Sequence, residues 1–308
     1  MTLKRTGGLV SLNPRGLYWI WYILPAILIY IFFMAYPLID SIRLSFFTGS
    51  GVNREFVGFG NFIELFTGGE LSVRYWGALR NTTVFFIIHM LVQNVLGIIF
   101  ATILTNHKMK GRKIYQTIIF IPTTFAVLVT GYLWRLLLNP IWSRGLWEAV
   151  GLPDMAQPWM GMEETALTIV ALVSCWQWMG IPTMMFVAAL LGISDDIYEA
   201  ADIEGANGWQ VFWHIKLPLI MPVVGIVTIL TFVNNFNAFD IVFAMQTANG
   251  APNFSTDLIG TLFYRVGVAG THPVAIPNPG MGATIATVTF IMLAAVSLFV
   301  LNRTRTRG

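Results

Sequence analysis

Six predominantly apolar runs, each about as long as a bilayer is thick, constrain this 308-residue chain more than any other feature. A hydrocarbon core of roughly 30 Å needs about 20 helical residues at about 1.5 Å each. The runs lie at 19–38, 84–103, 114–138, 166–191, 217–239 and 283–301. His89 falls in the second and Arg135 near the end of the third, where a long stem carries the guanidinium to the interface. Barrel strands need only about 10 residues and alternate in polarity, so these spans read as helices. The expected architecture is all-α, a single transmembrane domain of six helices over 1–308.

Hydrophobic residues make up 56% of the chain and charged ones 11%, which excludes a soluble domain of ordinary composition. Lys and Arg then set the orientation. Lys4, Arg5 and Arg15 lie in the tail 1–18; Lys108, Lys110, Arg112 and Lys113 lie between the second and third spans; Arg303, Arg305 and Arg307 follow the last span. All three groups fall on one side of a six-span chain, read as cytoplasmic. These cations explain the pI near 9.1, and no nucleic-acid partner is read from it. The only cysteine, Cys175, lies inside the fourth span, which excludes an internal disulfide. No small-residue cleavage pattern follows the first apolar run, so it reads as a retained anchor. No nucleophile and base pairing, metal-ligand set or phosphate-binding glycine loop is present, so the chain does not read as an enzyme.

The cytoplasmic segment 194–217 breaks the positive bias. It sets Lys216 against Asp195, Asp196, Glu199, Asp202 and Glu204. Ser194 reads as a hydroxyl N-cap with the two aspartates favouring the positive end of the helix dipole. Gly205 fits a left-handed stop, and Asn207 with Gln210 fits a capping box opening a second helix. Ala200, Ala201 and Ile203 would form a small apolar face on the first helix. Trp209, Phe212 and Trp213 would lay the second along the membrane interface, with Pro218 opening the next span. On local polarity alone the segment is either a solvated connector or a docking site.

A full pattern decides between them. Glu199, Ala200, Ala201, Gly205, Ile215, Leu217 and Pro218 match every position of the signature Glu-Ala-Ala, three residues, Gly, nine residues, Ile, one residue, Leu-Pro. This resembles the integral membrane subunits of ATP-binding cassette importers. "FIPTTFAVLVTGYLW" and "NNFNAFDIVFAMQTANGAP" are similar to their carbohydrate-type branch, although "TANGAP" stands where many relatives have Thr-x-Gly-Gly-Pro. The resemblance implies a type I importer permease fold and a coupling role for Glu199, Ala200, Ala201, Asp202, Gly205, Ile215, Leu217 and Pro218. It implies as partners a second permease subunit, two ATPase subunits and an extracytoplasmic solute-binding protein. This chain would hold no cofactor; ATP and magnesium would sit in the ATPases. The solute would be a di- or oligosaccharide, with glycerol phosphate next.

A polar solute needs hydrogen-bonding groups at mid-membrane depth, where lipid offers none. Ser174, Gln177 and Trp178 share one helical face in the fourth span, and Thr231, Asn234 and Asn235 share one in the fifth. Amides and hydroxyls suit sugar hydroxyls, and an indole suits a pyranose face. The same residues would equally serve as hydrogen bonds between helices. His89 and Asn94 read as packing residues, Asp240 as the interfacial end of the fifth span, and Trp134 and Trp142 as interfacial belt. An ion-gradient carrier or channel for a polar solute is the competing reading. Span centres almost bare of charge argue against it.

Overall fold

The structure is a computed structural model that describes residues 18–49, 54–106 and 109–305. The tail 1–17, Lys108 and Arg307 lie outside the described residues. Four helices are long and apolar enough to cross a membrane: Trp21–Leu44, Gly69–Leu104, Gly208–Phe236 and Pro279–Asn302. Two further spans are bent pairs, Arg112–Thr124 with Val127–Leu137 and Glu163–Trp178 with Gly180–Leu191, which turn by 97° and 46°. Large apolar side chains stay exposed along these helices, from Phe33 to Leu298, as lipid contact requires.

The third apolar run, 114–138, forms a bent pair of helices that turns through nearly a right angle. Pro122 tightens the chain into a short 3-10 turn, Ile121–Thr124, and Phe125 and Ala126 are extended, with ψ of 143° and 134°. An extended break frees backbone groups that must be satisfied inside the bilayer. Gln177 Nε2 donates to the Phe125 carbonyl at 3.0 Å, and Thr123 Oγ1 donates to the Gln177 carbonyl at 2.9 Å. The close approach depends on Gly180: a Cβ there would stand 2.7 Å from Thr123 Oγ1 and 3.0 Å from Phe120 Cα.

The spans meet in three separate apolar clusters. One joins Tyr75, Phe232, Phe236 and Ile285; a second joins Phe85, Val170 and Met245; a third joins Leu104, Phe186 and Ile220. Small residues bring the backbones together elsewhere. A Cβ on Gly282 would lie 2.7 Å from Gly267 Cα, and one on Gly280 would lie 1.9 Å from the Phe47 carbonyl oxygen. The stretch "FVGFGNFIELF" folds as the short helix Gly60–Thr67, preceded by two-residue strands Phe47–Thr48 and Glu55–Phe56. Asn61 fastens it by donating to the carbonyls of Ser45 and Phe47 at 2.9 and 2.8 Å.

The helix Gly208–Phe236 is continuous, which corrects an expectation. Trp209, Phe212 and Trp213 lie on the first turns of the fifth span, not on a separate interfacial helix. Pro218 follows the π segment Phe212–Lys216 and sits in the first turn of the helix Leu217–Phe236, the position where a helix tolerates proline best.

Candidate transport cavity and coupling loop

A cavity of about 380 Å³ opens between the second, fourth and fifth spans. Its size falls within the roughly 300–1,000 Å³ of small-molecule sites. Ser174, Trp178, Thr231, Asn234 and Asn235 line it, together with His89, Gln93 and Asp240. Gln177 does not. Its side chain is fully buried and bonded to the broken third span, so its substrate-path assignment is corrected to a packing role.

The second span places the polar groups inward because its helix widens over His89–Asn94 into a π segment. His89 Nδ1 lies 2.8 Å from the Phe85 carbonyl, and Nε2 lies 3.0 Å from Ser174 Oγ. A carbonyl only accepts, so Nδ1 carries the proton; in the uncharged ring Nε2 then accepts the Ser174 hydroxyl proton. Asn94 Nδ2 donates to Thr231 Oγ1 at 3.1 Å, and Asn235 Nδ2 donates to the Thr231 carbonyl at 2.7 Å. Gln93 Oε1 and Asn235 Oδ1 are buried with no hydrogen-bond partner, while both residues line the cavity. Unpaired buried acceptors are costly and mark a place where a donor is expected.

His89 is thus both a helix-packing residue and part of the cavity wall. Gln93 escaped the sequence reading, although its four-residue spacing from His89 puts both on one helical face. Asp240 was expected at the end of the fifth span. That helix stops at Phe236, and Asp240 instead opens the short helix Asp240–Gln246 at the cavity rim. Trp142 is 72% exposed, as a belt residue would be, whereas Trp134 packs edge-on against Trp176 beside the second apolar cluster.

At one end of the bundle the helix Asp195–Ile203 carries the acidic segment. Ser194 occupies its N-cap position, but its hydroxyl makes no capping bond; two acidic residues in the first turn supply the favourable charge there instead. Gly205 has φ of +74° with nothing within 4 Å of a Cβ built on it, so conformation rather than space calls for glycine. The stop is a Schellman motif, with Ala206 N–H donating to the Ala201 carbonyl at 3.0 Å and Gly205 N–H to Asp202 at 3.1 Å. Asn207 and Gln210 form the reciprocal capping box at 3.0 and 2.8 Å.

Ala200, Ala201 and Ile203 do not form one apolar face. Ala201 is buried against the chain at 6% exposure, while Ile203 stands out at 88% between exposed Asp202 and Glu204. Glu199 and Ala200 are exposed as well. A groove lined by Asp196, Ala200, Ala201, Glu204, Gly205 and Ile215 follows the corner. Leu217 and Pro218 continue from it into the fifth span. Tyr198 lies under Lys216, whose Nζ is 5.4 Å from its ring, and burial followed by the Asp195 charge pushes the phenol up from its ordinary range.

A second polar cluster fastens the segment between the short helix Asp240–Gln246 and the last span. Asp257 and Arg265 form a buried ion pair, and Thr261 Oγ1 donates to the same carboxylate at 2.6 Å. Phe254 lies 3.7 Å from the Arg74 guanidinium and 5.0 Å from that of Arg265. Asn81 donates to the carbonyls of Phe254 and Asp257 at 3.1 Å each. Nothing in the local sequence pairs Asp257 with Arg265, so only the tertiary fold reveals it.

A bundle of bent spans around a hydroxyl- and amide-lined cavity, with an acidic helix standing clear at one end, defines a multi-pass membrane permease. The chain belongs to the binding-protein-dependent transport system inner membrane component family, whose pattern matches residues 93–306. As an ATP-binding cassette importer permease it is a transport component and not an enzyme, which sets aside the ion-gradient carrier. It is 28% identical over 288 residues to the lactose transport system permease protein LacF of Rhizobium radiobacter, covering 93% of each chain. It is 30% identical over 280 residues to the arabinooligosaccharides transport system permease protein AraP of Bacillus subtilis (strain 168), covering 90% of this chain and 85% of that one. A chain of a bacterial transporter that imports the acidic polysaccharide alginate superposes with a TM-score of 0.77 at 21% identity, over 94% of this chain and 96% of that one. That likeness establishes the fold.

Proposed function

We propose that this permease forms, with a second permease subunit, the membrane path for a di- or oligosaccharide delivered by an extracytoplasmic solute-binding protein. The cavity between the second, fourth and fifth spans carries this reading: the amide residues Gln93, Asn234 and Asn235, the hydroxyl residues Ser174 and Thr231 and the Trp178 indole line one space. Relatives named for lactose and arabinooligosaccharides support a sugar as the solute. Ser174, Trp178, Thr231, Asn234 and Asn235 are the path residues of this chain, joined by His89 and Gln93.

Segment 194–217 couples the path to two cytoplasmic ATPase subunits, which hold ATP and magnesium; this chain holds neither. Exposed Ile203 with Glu199, Ala200, Asp202 and Glu204 around it offers an apolar knob ringed by carboxylates, suited to a cleft with basic walls. Gly205 is the corner through which a stroke on the helix Asp195–Ile203 reaches Ile215, Leu217 and Pro218 and so the fifth span, which lines the cavity. Both termini then lie on the ATPase side. In the reconstituted complex, Trp178→Ala should cut sugar uptake at least ~10-fold with the complex still assembled. Wild-type uptake rates in that variant would remove the cavity from the path.

A further inference from the structure

The charge of the cavity wall narrows the solute further, an inference that rests on the saccharide reading above. Among the described residues neither Lys nor Arg lines the cavity, and Asp240 is its one carboxylate. His89 is bonded only to a carbonyl and a hydroxyl, with no carboxylate on either ring nitrogen to hold it as a cation. An acidic sugar entering this space would shed water, find no cation, and meet the Asp240 carboxylate. Burying an unpaired charge is far costlier than burying a hydroxyl that finds a partner.

A neutral sugar meets the opposite situation. Its hydroxyls meet a wall of uncharged hydrogen-bonding residues, Gln93, Asn235, Ser174 and Thr231, with no fixed charge to displace. Its oxygens reach the amide of Asn234, and a ring face packs on the Trp178 indole. We infer that the cavity selects uncharged saccharides and rejects those bearing carboxylate or phosphate groups. Glycerol phosphate falls outside this range. The fold does not dictate that choice, because the alginate importer shares it and carries an acidic polysaccharide.

Saturation-transfer NMR on the assembled transporter in nanodiscs of zwitterionic lipid tests the inference. The probes are maltotriose and trigalacturonate, equal in ring number and opposite in charge character. Maltotriose should receive saturation that falls in Trp178→Ala, and trigalacturonate should bind at least ~10-fold more weakly. Asn234→Lys, which places a cation in the cavity, should narrow that ratio. Wild-type binding of trigalacturonate equal to or tighter than that of maltotriose would overturn the charge selection and leave the saccharide reading intact. Saturation of neither probe would sink the saccharide reading and this inference with it.

Discussion

Gln177 and Trp178 are neighbours in sequence with separable duties. Gln177 Nε2 donates to the partly buried Phe125 carbonyl at the break in the third span, and Gln177→Leu removes that donor. Loss of that hydrogen bond should cost about 1 kcal/mol and lower the melting temperature of the purified complex, whereas Trp178→Ala should act on uptake. A Gln177→Leu complex that melts with the wild type would contradict the staple. Asp257 offers a pH test. Burial pushes its carboxyl up to about 6 although Arg265 and Arg74 pull it down. A raised folded value means that the folded chain holds this proton more tightly than the unfolded one, whose carboxyl titrates near ~3.9. The associated stability is present below about pH 4 and is lost as pH rises through about 6. Relative to Asp257→Asn, the wild type should therefore lose stability from pH 4 to 6; a flat difference in melting temperature across that window would refute the assignment.

At the scale of elements, the apolar runs were legible because length and hydropathy are local properties, and Gly205 and the Asn207–Gln210 box because caps are local too. The bend at Phe125–Ala126 was not, since the group that satisfies it comes from Gln177, 52 residues away. The same non-locality hid the double life of His89, whose partner Ser174 lies 85 residues on. Backbone crossings give the sharpest element-scale prediction. Gly280→Ala would press a methyl into the Phe47 carbonyl oxygen, 1.9 Å from the ideal Cβ position. The overlap should cost roughly 1–3 kcal/mol or more and lower the yield of folded protein from membranes. Gly205→Ala, with open space around it, should cost only about 1 kcal/mol of left-handed strain. Gly205→Pro combined with Glu199→Ala should uncouple ATP hydrolysis from transport while the chain still inserts; normal coupled turnover in the double variant would be fatal to the corner's role.

The whole molecule joins two ends: the cavity proposed for a sugar and the acidic helix proposed to receive force from an ATPase. Family membership was legible from seven matching positions in one loop, but the cavity's composition was not, because its wall is assembled from three spans far apart in sequence. The coupling claim is central, and one labelling experiment reaches it directly. Cys175 is the chain's only cysteine and is buried, so Ile203→Cys introduces a single exposed thiol. A membrane-impermeant maleimide applied to the cytoplasmic face should label that thiol readily in membranes holding this permease without its ATPases. Labelling should fall at least ~10-fold in the assembled transporter, as expected for a knob seated in a protein cleft. Equal labelling in both would show Ile203 bathed in solvent and would contradict the account.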